Sequence, residues 1–262
     1  MRTTMLLKCS NLTRRYGGVV AVNDVDLVLG ERQITGVIGP NGSGKSTLVD
    51  LLTGVTQPSA GKIEFAGINV TRLESWRIAR LGMARTFQML RLFPQLTLLQ
   101  NMTVGESWRL RTTYLGSAVR TALATHEERE LDRRAMALLA DFDMADMAGR
   151  YPSELSIGQQ RLVEIARSLM TSPKLLLLDE PAAGLSPPNV ERLIGHIHRI
   201  RNERETSILL VEHVMKVVLN SCDRVVVLDR GGKIADGLPQ EVVNDPRVAA
   251  AYLGVEKEAV DA

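Results

Sequence analysis

The sequence predicts an α/β fold with a mixed sheet core, an antiparallel β region and an inserted α-helical region. Three observations support this prediction. A glycine-rich loop lies between an apolar run and a helical stretch, continuous apolar runs recur between residues 171 and 230, and residues 100–170 show helical spacing. Continuous apolar runs are typical of parallel strands buried on both faces, and their alternation with helices indicates an α/β core.

A single domain is expected over residues 1–254, because a chain of 262 residues can bury one large core or a large core with a small lobe. The core, which includes the antiparallel β region, would comprise about residues 5–98 and 171–254. Residues from about 99–170 would form the helical region. The remaining residues, 255–262, are expected to be a flexible tail.

Several short elements are predicted along this domain. Apolar and polar residues alternate in places between residues 5 and 38, which is typical of antiparallel strands, and short strands are expected at 62–65 and 68–70. Residues 126–140 have a charged, amphipathic pattern that predicts a helix. The pair Gly231 and Gly232 predicts a hairpin turn.

Residues 39–46 read Gly-Pro-Asn-Gly-Ser-Gly-Lys-Ser and match the phosphate-loop pattern G-x-x-x-x-G-K-[ST]. This phosphate loop lies between a predicted strand, Ile34–Ile38, and a predicted helix, Lys45–Leu52, which is the context that the pattern requires. Its glycines let backbone N–H groups turn toward an anion, while Lys45 and the helix N-terminus add positive charge. Ser46 can offer a hydroxyl oxygen to Mg²⁺. The nucleotide-binding residues expected here are Asn41, Gly42, Ser43, Gly44, Lys45, Ser46 and Thr47.

Two adjacent acidic residues, Asp179 and Glu180, follow the apolar run at residues 174–178. Pro173 and Pro181 bracket the run and favour a short strand over a helix. Acidic residues at the carboxyl end of such a strand lie where open α/β sheets bind ligands. Because successive strand residues point to opposite sides, we expect Asp179 to face a metal ion and Glu180 to reach an attacking water molecule.

The string Leu-Ser-Ile-Gly-Gln-Gln at residues 155–160, here called the signature segment, begins a predicted helix. Ser156 and Gln159 match a capping box, and apolar residues then recur at helical spacing, so this helix has one buried face. A capped helix start that contains a glycine, here Gly158, also favours anions. The structural and the phosphate-binding interpretations are therefore compatible.

The chain resembles an ATP-binding-cassette (ABC) ATPase over about residues 5–254. The phosphate loop, Gln88, the signature segment, Asp179 with Glu180, and His213 occur in the order of that family. The resemblance implies a P-loop NTPase fold of the ABC type that uses ATP and Mg²⁺. More narrowly, the chain resembles the ATPase subunits of branched-chain amino-acid importers. The narrower resemblance rests on the strings at residues 84–88, 161–167, 183–187, 211–215 and 251–254.

The resemblance implies several roles within one chain. Tyr16 would stack on adenine, Gln88 would contact Mg²⁺ and the attacking water, and His213 would touch the γ-phosphate. Glu180 would orient or deprotonate the water, while His213 and Lys45 would stabilise charge on the transferring group. The expected catalytic residues are therefore Glu180, His213, Lys45 and Gln88. The expected metal ligands are Ser46, Gln88 and Asp179.

The resemblance also implies a site shared between two chains. Ser156, Gly158 and Gln159 of a second ATPase subunit would close over the γ-phosphate, and two such sites would form in a head-to-tail pair. The sequence departs from the family pattern at one position of this segment. The third residue of the signature segment is often Gly in the family and is Ile157 here.

Composition excludes some functions and sets the expected location. The net charge of +2 indicates no extended nucleic-acid surface, and Cys9 and Cys222 are too few for a disulfide scaffold or a metal site. No apolar run approaches the roughly 20 residues that span a bilayer. Together with this absence, the resemblance implies a cytoplasmic location, peripheral on the inner face of the cell membrane, with integral-membrane permease subunits as separate chains.

The expected function is to power a membrane transporter for branched-chain or related amino acids through ATP-driven dimer closure. The expected partners are a second ATPase subunit (identical or paralogous), the permease subunits and, indirectly, a periplasmic or surface substrate-binding protein. In the resembling family, the neighbourhood of residues 89–94 forms a groove for a short permease helix. The alternatives left open are an importer of urea or short amides, an exporter ATPase, a non-transport ABC ATPase of DNA repair or translation, and a regulatory module without hydrolysis.

Overall fold

The structure, a computed structural model, describes residues 5–106 and 122–253. The expected tail at residues 255–262 lies outside the described residues. The strands are β1 (Met5–Tyr16), β2 (Val19–Gly30), β3 (Ile34–Ile38), β4 (Ala60–Phe65), β5 (Ile68–Asn69), β6 (Met83–Arg85), β7 (Leu175–Asp179), β8 (Ser207–Val211), β9 (Arg224–Asp229) and β10 (Gly232–Gly237). The helices are α1 (Lys45–Leu52), α2 (Ser75–Arg80), α3 (Leu98–Val104), α4 (Ala122–Asp141), α5 (Ile157–Leu169), α6 (Pro187–Glu203), α7 (Met215–Ser221), α8 (Pro239–Val243) and α9 (Pro246–Leu253).

The larger sheet has six strands in the order β10-β9-β3-β8-β7-β6. The strands from β9 to β6 in this order run parallel to one another, whereas β10 pairs antiparallel with β9. Since parallel strands need crossover connections, helices separate them along the chain and cover the sheet. This mixed sheet confirms the predicted fold class.

Both faces of the larger sheet are buried, and β7 shows why its sequence is apolar throughout. Leu176 and Leu178 pack into a cluster with helices α3 to α6, whereas Leu175 and Leu177 pack into a second cluster with β1, β2 and α1. Successive strand residues point to opposite faces, so a strand covered on both sides needs apolar residues at every position.

The smaller sheet is antiparallel and has the order β2-β1-β4-β5. Its long strands β1 and β2 are joined by a turn at Gly17 and Gly18, after which β2 runs past the start of α1. The carbonyl oxygen of Ala21 in β2 lies 2.4 Å from the place where a Cβ atom on Gly44 would be. The antiparallel sheet is therefore in close contact with the phosphate loop.

Helices α3, α4 and α5 form a layer that packs through Leu98, Leu139 and Val163 against the helical side of the larger sheet. Thr97 caps α3 and Ser156 caps α5, each through a capping box. Within residues 5–106 and 122–253, every helix is too short or too polar to cross a lipid bilayer.

Most elements lie where the sequence predicts them. β3 and α1 have the predicted bounds, and the helix predicted at residues 126–140 lies within α4. β7 begins and ends one residue later than the predicted run at 174–178, because Asp179 continues the parallel ladder opposite Val211.

The predicted hairpin turn at Gly231 and Gly232 is wrong by one residue. Asp229 pairs with Gly232, so the two central residues of the turn are Arg230 and Gly231. Both have positive φ, 46° and 84°, as a two-residue turn between twisted antiparallel strands favours. The arginine adopts a left-handed conformation that is more common for glycine or asparagine, which is why the sequence does not predict it.

Candidate active site

The carboxyl ends of four neighbouring strands gather most of the predicted functional residues. In the sheet order β3-β8-β7-β6, β3 leads into the phosphate loop, β8 precedes His213, β7 precedes Glu180 and β6 precedes Gln88. Parallel strands place these ends on one edge of the sheet, which is the edge where open α/β sheets bind ligands. Residues that are distant in sequence are thereby brought together.

The phosphate loop has a backbone conformation that depends on glycine. Gly39, Gly42 and Gly44 have φ values of 152°, 78° and 102°. A Cβ atom on Gly39 would lie 2.1 Å from the carbonyl oxygen of Leu228, so the loop also passes too close to β9 for a side chain. Because any L-residue at Gly39 would meet both the conformational and the steric obstacle, the loop has a single well-defined path.

Lys45 is held against the loop that it follows. Its Nζ donates to the carbonyl oxygens of Gly39 and Pro40 at 2.8 and 2.9 Å, and the residue is only 8% exposed. Burial lowers the pKa of Lys45, while the nearby carboxylates of Glu180 and Asp179 act in the opposite direction. The ammonium group is thus fixed where loop carbonyls and acidic residues surround it.

A pocket of about 490 Å³ opens above this loop. Gln88 and Glu180 line it together with the loop, as do residues of β2 and of the β9–β10 turn. Of the predicted residues, Asn41, Gly42, Ser43, Gly44, Lys45, Ser46, Thr47, Gln88 and Glu180 line the pocket, together with Val19, Val20, Ala21 and Arg230. Backbone N–H groups at a helix N-terminus and a buried ammonium make this a pocket for a polyanion.

Glu180 is set at the pocket by an unusual backbone conformation. Its φ is 49°, and its N–H donates to the carbonyl oxygen of Val211 at 2.9 Å. The Nε2 atom of Gln88 donates to Oε2 of Glu180 at 3.0 Å. A left-handed conformation at a residue other than glycine is sparsely populated and often marks a functional position.

Asp179 lies deeper than Glu180 and is 4% exposed. The guanidinium of Arg85 bridges it to α1, with contacts of 3.0 Å to Oδ2 of Asp179 and 2.5 Å to Oδ1 of Asp50. Burial raises the pKa of Asp179, and the Arg85 guanidinium opposes that rise. The two adjacent acids therefore occupy different environments, as predicted, but the left-handed backbone of Glu180 after the end of β7, rather than strand alternation, accompanies the difference.

The sequence that forms this pocket matches known protein families. The family profile described as "ABC transporter" matches residues 22–183, which include the phosphate loop, Gln88, the signature segment and both acids. The chain belongs to the ABC transporter family. A second profile, "Branched-chain amino acid ATP-binding cassette transporter", matches residues 233–258.

Relatives of this ABC protein agree with the two profiles. The chain is 41% identical to the high-affinity branched-chain amino acid transport ATP-binding protein BraF of Pseudomonas aeruginosa, over 95% of this chain and 98% of the relative. It is 40% identical to the high-affinity branched-chain amino acid transport ATP-binding protein LivG of Escherichia coli, over the same shares of the two chains. The MJ1267 cassette in its ADP conformation has a TM-score of 0.84 and 31% identity, covering 96% of this chain and 100% of that one. The chain is accordingly a nucleotide-binding ABC ATPase.

The oxygen donors of this ABC site suit Mg²⁺. The Ser46 hydroxyl and the Asp179 carboxylate are hard ligands, and Gln88 directs its Nε2 atom to Glu180 and keeps its amide oxygen for another partner. Within the part of the chain that the structure describes, no group of three or more His, Cys, Asp or Glu residues is arranged to hold a metal. Mg²⁺ commonly takes one or two carboxylates and completes its shell with water and substrate phosphates, so this donor set fits the ion.

Besides the buried Asp179, three of the predicted groups do not line the pocket of the cassette. Tyr16 is 46% exposed, and the Arg14 guanidinium lies 4.4 Å from the centre of its ring. His213 is exposed at the end of β8. The signature segment lies at the start of α5 and contributes no lining residue. Their predicted roles toward a nucleotide stay predictions.

The signature segment is a self-contained helix start. The Ser156 N–H donates to Oε1 of Gln159 at 2.9 Å, and the Gln159 N–H donates to Oγ of Ser156 at 3.3 Å. Ile157 is 59% exposed, so the first turn of α5 faces away from the core. One turn further on, the Arg161 guanidinium donates to the carbonyl oxygens of Phe87 and Gln88 at 3.1 and 2.6 Å. The signature helix is thus bonded to the segment that carries Gln88.

Sequence reasoning assigned no role to three arginines that the structure connects to the site. Arg85 pairs with Asp179, Arg161 holds the segment of Gln88, and Arg230 lines the pocket. Arg85 stands in the short strand before Gln88, but its pairing with Asp179 depends on β6 lying beside β7, for which the sequence has no local signal. Arg161 and Arg230 depend on contacts between distant elements and have no local signal.

Proposed function

We propose that this chain is the ATP-hydrolysing subunit that powers import of branched-chain or related amino acids. One observation carries the proposal: a phosphate loop, a carboxylate and a glutamine share one pocket in a chain 41% identical to BraF over 95% of its length. BraF and LivG are named for branched-chain amino acid transport, and this chain has the residues that such a motor needs.

Hydrolysis is assigned to residues around the pocket. The phosphate loop and Lys45 bind and neutralise the triphosphate, because helix N–H groups and an ammonium attract anions. Glu180 orients or deprotonates the attacking water, and its bond to Gln88 fixes the direction of the carboxylate. His213 reaches the γ-phosphate from the end of β8. Tyr16 supplies a flat ring on which adenine stacks.

Ser46, Asp179 and Gln88 are the residues that would hold Mg²⁺. The bound ion would neutralise negative charge on the phosphate oxygens. Arg85 already compensates the charge of Asp179 from the other side, at 3.0 Å. The acid therefore keeps its place beneath the pocket through a contact made within the chain.

The second half of each site is assigned to a neighbouring ATPase subunit. Ser156 is exposed, Gln159 is half-buried and Gly158 is buried at a capped helix start outside the pocket of their own chain. In a two-fold head-to-tail pair, each chain would present this helix start to its partner's γ-phosphate. ATP would then favour the closed pair over the open one, since only ATP has the group that both chains contact.

The permease is assigned to a groove that Phe87 lines, close in sequence to the expected segment 89–94, although none of residues 89–94 lines it. A cavity of about 300 Å³ is lined by apolar residues that include Val55, Ile78 and Phe87. Arg85 also lines this cavity, so the side chain that pairs with Asp179 separates the groove from the site. A short helix with an apolar face suits such a groove. This contact would hold the cassette at the inner face of the membrane.

The variant Glu180→Gln tests the proposal, since it keeps size and hydrogen bonding but removes the base. ATP binding should be retained while the hydrolysis rate falls by about 100-fold or more. Unhydrolysed ATP should then hold two chains together as a dimer in size-exclusion chromatography. Glu203→Gln, at the exposed end of α6, is the matched control and should behave as the wild type. A Glu180→Gln protein that stays monomeric at high protein and ATP concentrations contradicts the shared site.

The transported substrate is tested with the same variant in cells. Where Glu180→Gln replaces the chromosomal copy, uptake of labelled leucine should be lost and uptake of labelled urea should be unchanged. Loss of urea uptake with normal leucine uptake would favour the urea or short-amide importer instead.

A further inference from the structure

Glu212 is a fully buried acid at the carboxyl end of a central strand of the larger sheet. It follows β8 directly, stands next to His213 and is 0% exposed. Its carboxylate accepts three backbone hydrogen bonds. Oε1 accepts from the Ala182 N–H at 2.7 Å, and Oε2 accepts from the N–H groups of His213 and Val214 at 3.0 and 3.2 Å.

These bonds join two separate segments of the site. Ala182 lies two residues after Glu180, and the Glu180 N–H is itself bonded to the carbonyl oxygen of Val211 at 2.9 Å. The chain from Glu180 to Ala182 is therefore attached at both ends to the chain from Val211 to Glu212. The Glu212 carboxylate is thus a side-chain bridge between the two segments.

We propose that Glu212 is a positioning residue that fixes Glu180 and His213 relative to each other. The inference rests on the proposed function of those two residues in hydrolysis. A carboxylate suits this task because each oxygen can accept from a different segment at the same time. Three charge-assisted bonds also compensate a buried anion, which is otherwise costly to remove from water.

The geometry explains why a neutral replacement would not serve. A glutamine has one acceptor oxygen and one NH₂ group, and the NH₂ group cannot accept from a backbone N–H. Its oxygen would keep the two bonds to His213 and Val214, and its NH₂ group would face the Ala182 N–H. The segment that follows Glu180 would be released. An aspartate keeps the charge, but its shorter side chain cannot reach both segments.

The pocket itself does not depend on Glu212. Lys45 is held by loop carbonyls, and the phosphate loop is fixed by its contacts with β2 and β9. Loss of the Glu212 bridge should therefore affect turnover much more than ATP affinity. Displacement of a catalytic group by about 1 Å can reduce a rate on the order of 100-fold.

The test compares Glu212→Gln, Glu212→Asp and a matched control in the full chain. Glu106 is equally suited as a control, since it is 2% exposed and pairs with Arg134 in the helical layer at 2.7 Å. We expect kcat to fall at least tenfold in both Glu212 variants, with the Kd for ATP within about threefold of the wild type. Glu106→Gln should change the thermal midpoint and leave kcat unchanged.

Three results would overturn the inference. The first is a wild-type kcat in Glu212→Gln. The second is a kcat that falls only in proportion to the loss of folded protein or of ATP binding, as a purely structural role predicts. The third is an equal fall of kcat in Glu106→Gln. If Glu212→Gln does not fold, the same comparison of kcat and of the Kd for ATP is made with Glu212→Asp.

Failure of the proposed function looks different in this experiment. If the wild-type chain neither binds nor hydrolyses ATP, the function assigned to the pocket is wrong. If the wild type hydrolyses ATP and the Glu212 variants do so equally well, the function stands and only the positioning role is wrong.

Discussion

The phosphate loop and the signature segment both begin a helix and both contain glycine, yet they are built in opposite ways. Gly44 at the start of α1 has φ 102° and no side chain to cap the helix. Ser156 at the start of α5 has an extended backbone and closes a capping box with Gln159. Lys45 is 8% exposed, whereas Ile157 is 59% exposed.

The difference lies in where the free N–H groups of each helix find partners. A helix leaves its first four N–H groups without partners inside the helix. In α1, Gly44 supplies no side-chain acceptor, so these groups suit an external anion. In α5, Ser156 accepts from Gln159, so the exposed helix start is stable by itself and can be presented to another molecule. Under the proposed function, the start of α1 binds phosphates within its own chain and the start of α5 contacts the nucleotide of a neighbouring chain.

The largest effect is expected when the phosphate loop and the signature segment are inactivated in separate variants. Lys45→Ala removes the phosphate-binding ammonium, and Ser156→Arg places a bulky cation on the signature helix. Each variant alone should lose hydrolysis by about 100-fold or more, because every site of its dimer lacks one half. An equimolar mixture should recover up to about a quarter of wild-type activity, since half of the dimers are mixed and each mixed dimer keeps one intact site.

Recovery is the decisive measurement in this mixing experiment. The steady-state ATPase rate of the mixture is compared with the rates of the two single variants. Lys45→Ala alone, at the same total protein concentration, is the control. A mixture no more active than its components would mean that both halves act within one chain. In that case the exposed signature segment would need another explanation.

The two halves also differ in how far the sequence predicted them. The pattern of the phosphate loop includes its own structural context, so its strand, turn and helix all followed from residues 34–52. The capping box of Ser156 and Gln159 is equally local and was also predicted correctly. The bridge from Arg85 to Asp50 and Asp179 and the bonds of Glu212 join segments far apart in sequence. Such contacts arise only when neighbouring strands meet at the sheet edge, and a single sequence has no signal for them.

The hairpin turn shows the same limit at short range. Two adjacent glycines suggested where the chain reverses, but the register between β9 and β10 puts Arg230 and Gly231 at the centre. Register depends on which apolar residues face the core, and both neighbouring alignments satisfy the local turn chemistry.

A glycine-to-alanine substitution in each segment tests how tightly its backbone is confined. Gly39→Ala should destabilise the fold by about 3 kcal/mol, because φ of 152° and a backbone oxygen 2.1 Å from the new Cβ leave no room for it. Gly158→Ala has only the side chains of Asn189 and Leu185 near the new Cβ, at 3.1 and 3.3 Å. Because these side chains can shift and alanine favours helix, stability should stay within about 1 kcal/mol of the wild type.

Thermal unfolding and hydrolysis must be measured together for this pair. Gly158→Ala should fold normally and still lose hydrolysis, because making room for the buried methyl group beside Asn189 and Leu185 shifts the helix start that is assigned to the partner's phosphate. A Gly158→Ala protein with full activity would argue that this helix start does not approach a nucleotide. A Gly39→Ala protein with unchanged unfolding temperature would argue that the loop is not confined as the structure indicates.

The smallest expected effect separates capping from phosphate contact within the signature segment itself. Glutamate serves as well as glutamine in a capping box, so Gln159→Glu should leave the stability of the chain unchanged. The added negative charge would face the nucleotide of the partner and should weaken ATP-dependent dimer formation several-fold, an effect that added salt reduces. The capping box of Thr97 and Gln100 on α3 has the same hydrogen bonds at 2.9 and 3.3 Å, so Gln100→Glu is a matched control. Sedimentation with ATP at low and high salt measures the difference. If Gln159→Glu and Gln100→Glu form dimers equally well, the signature segment acts only as a helix cap. A salt-sensitive loss of dimer that is confined to Gln159→Glu would place the first turn of α5 beside the partner's phosphates.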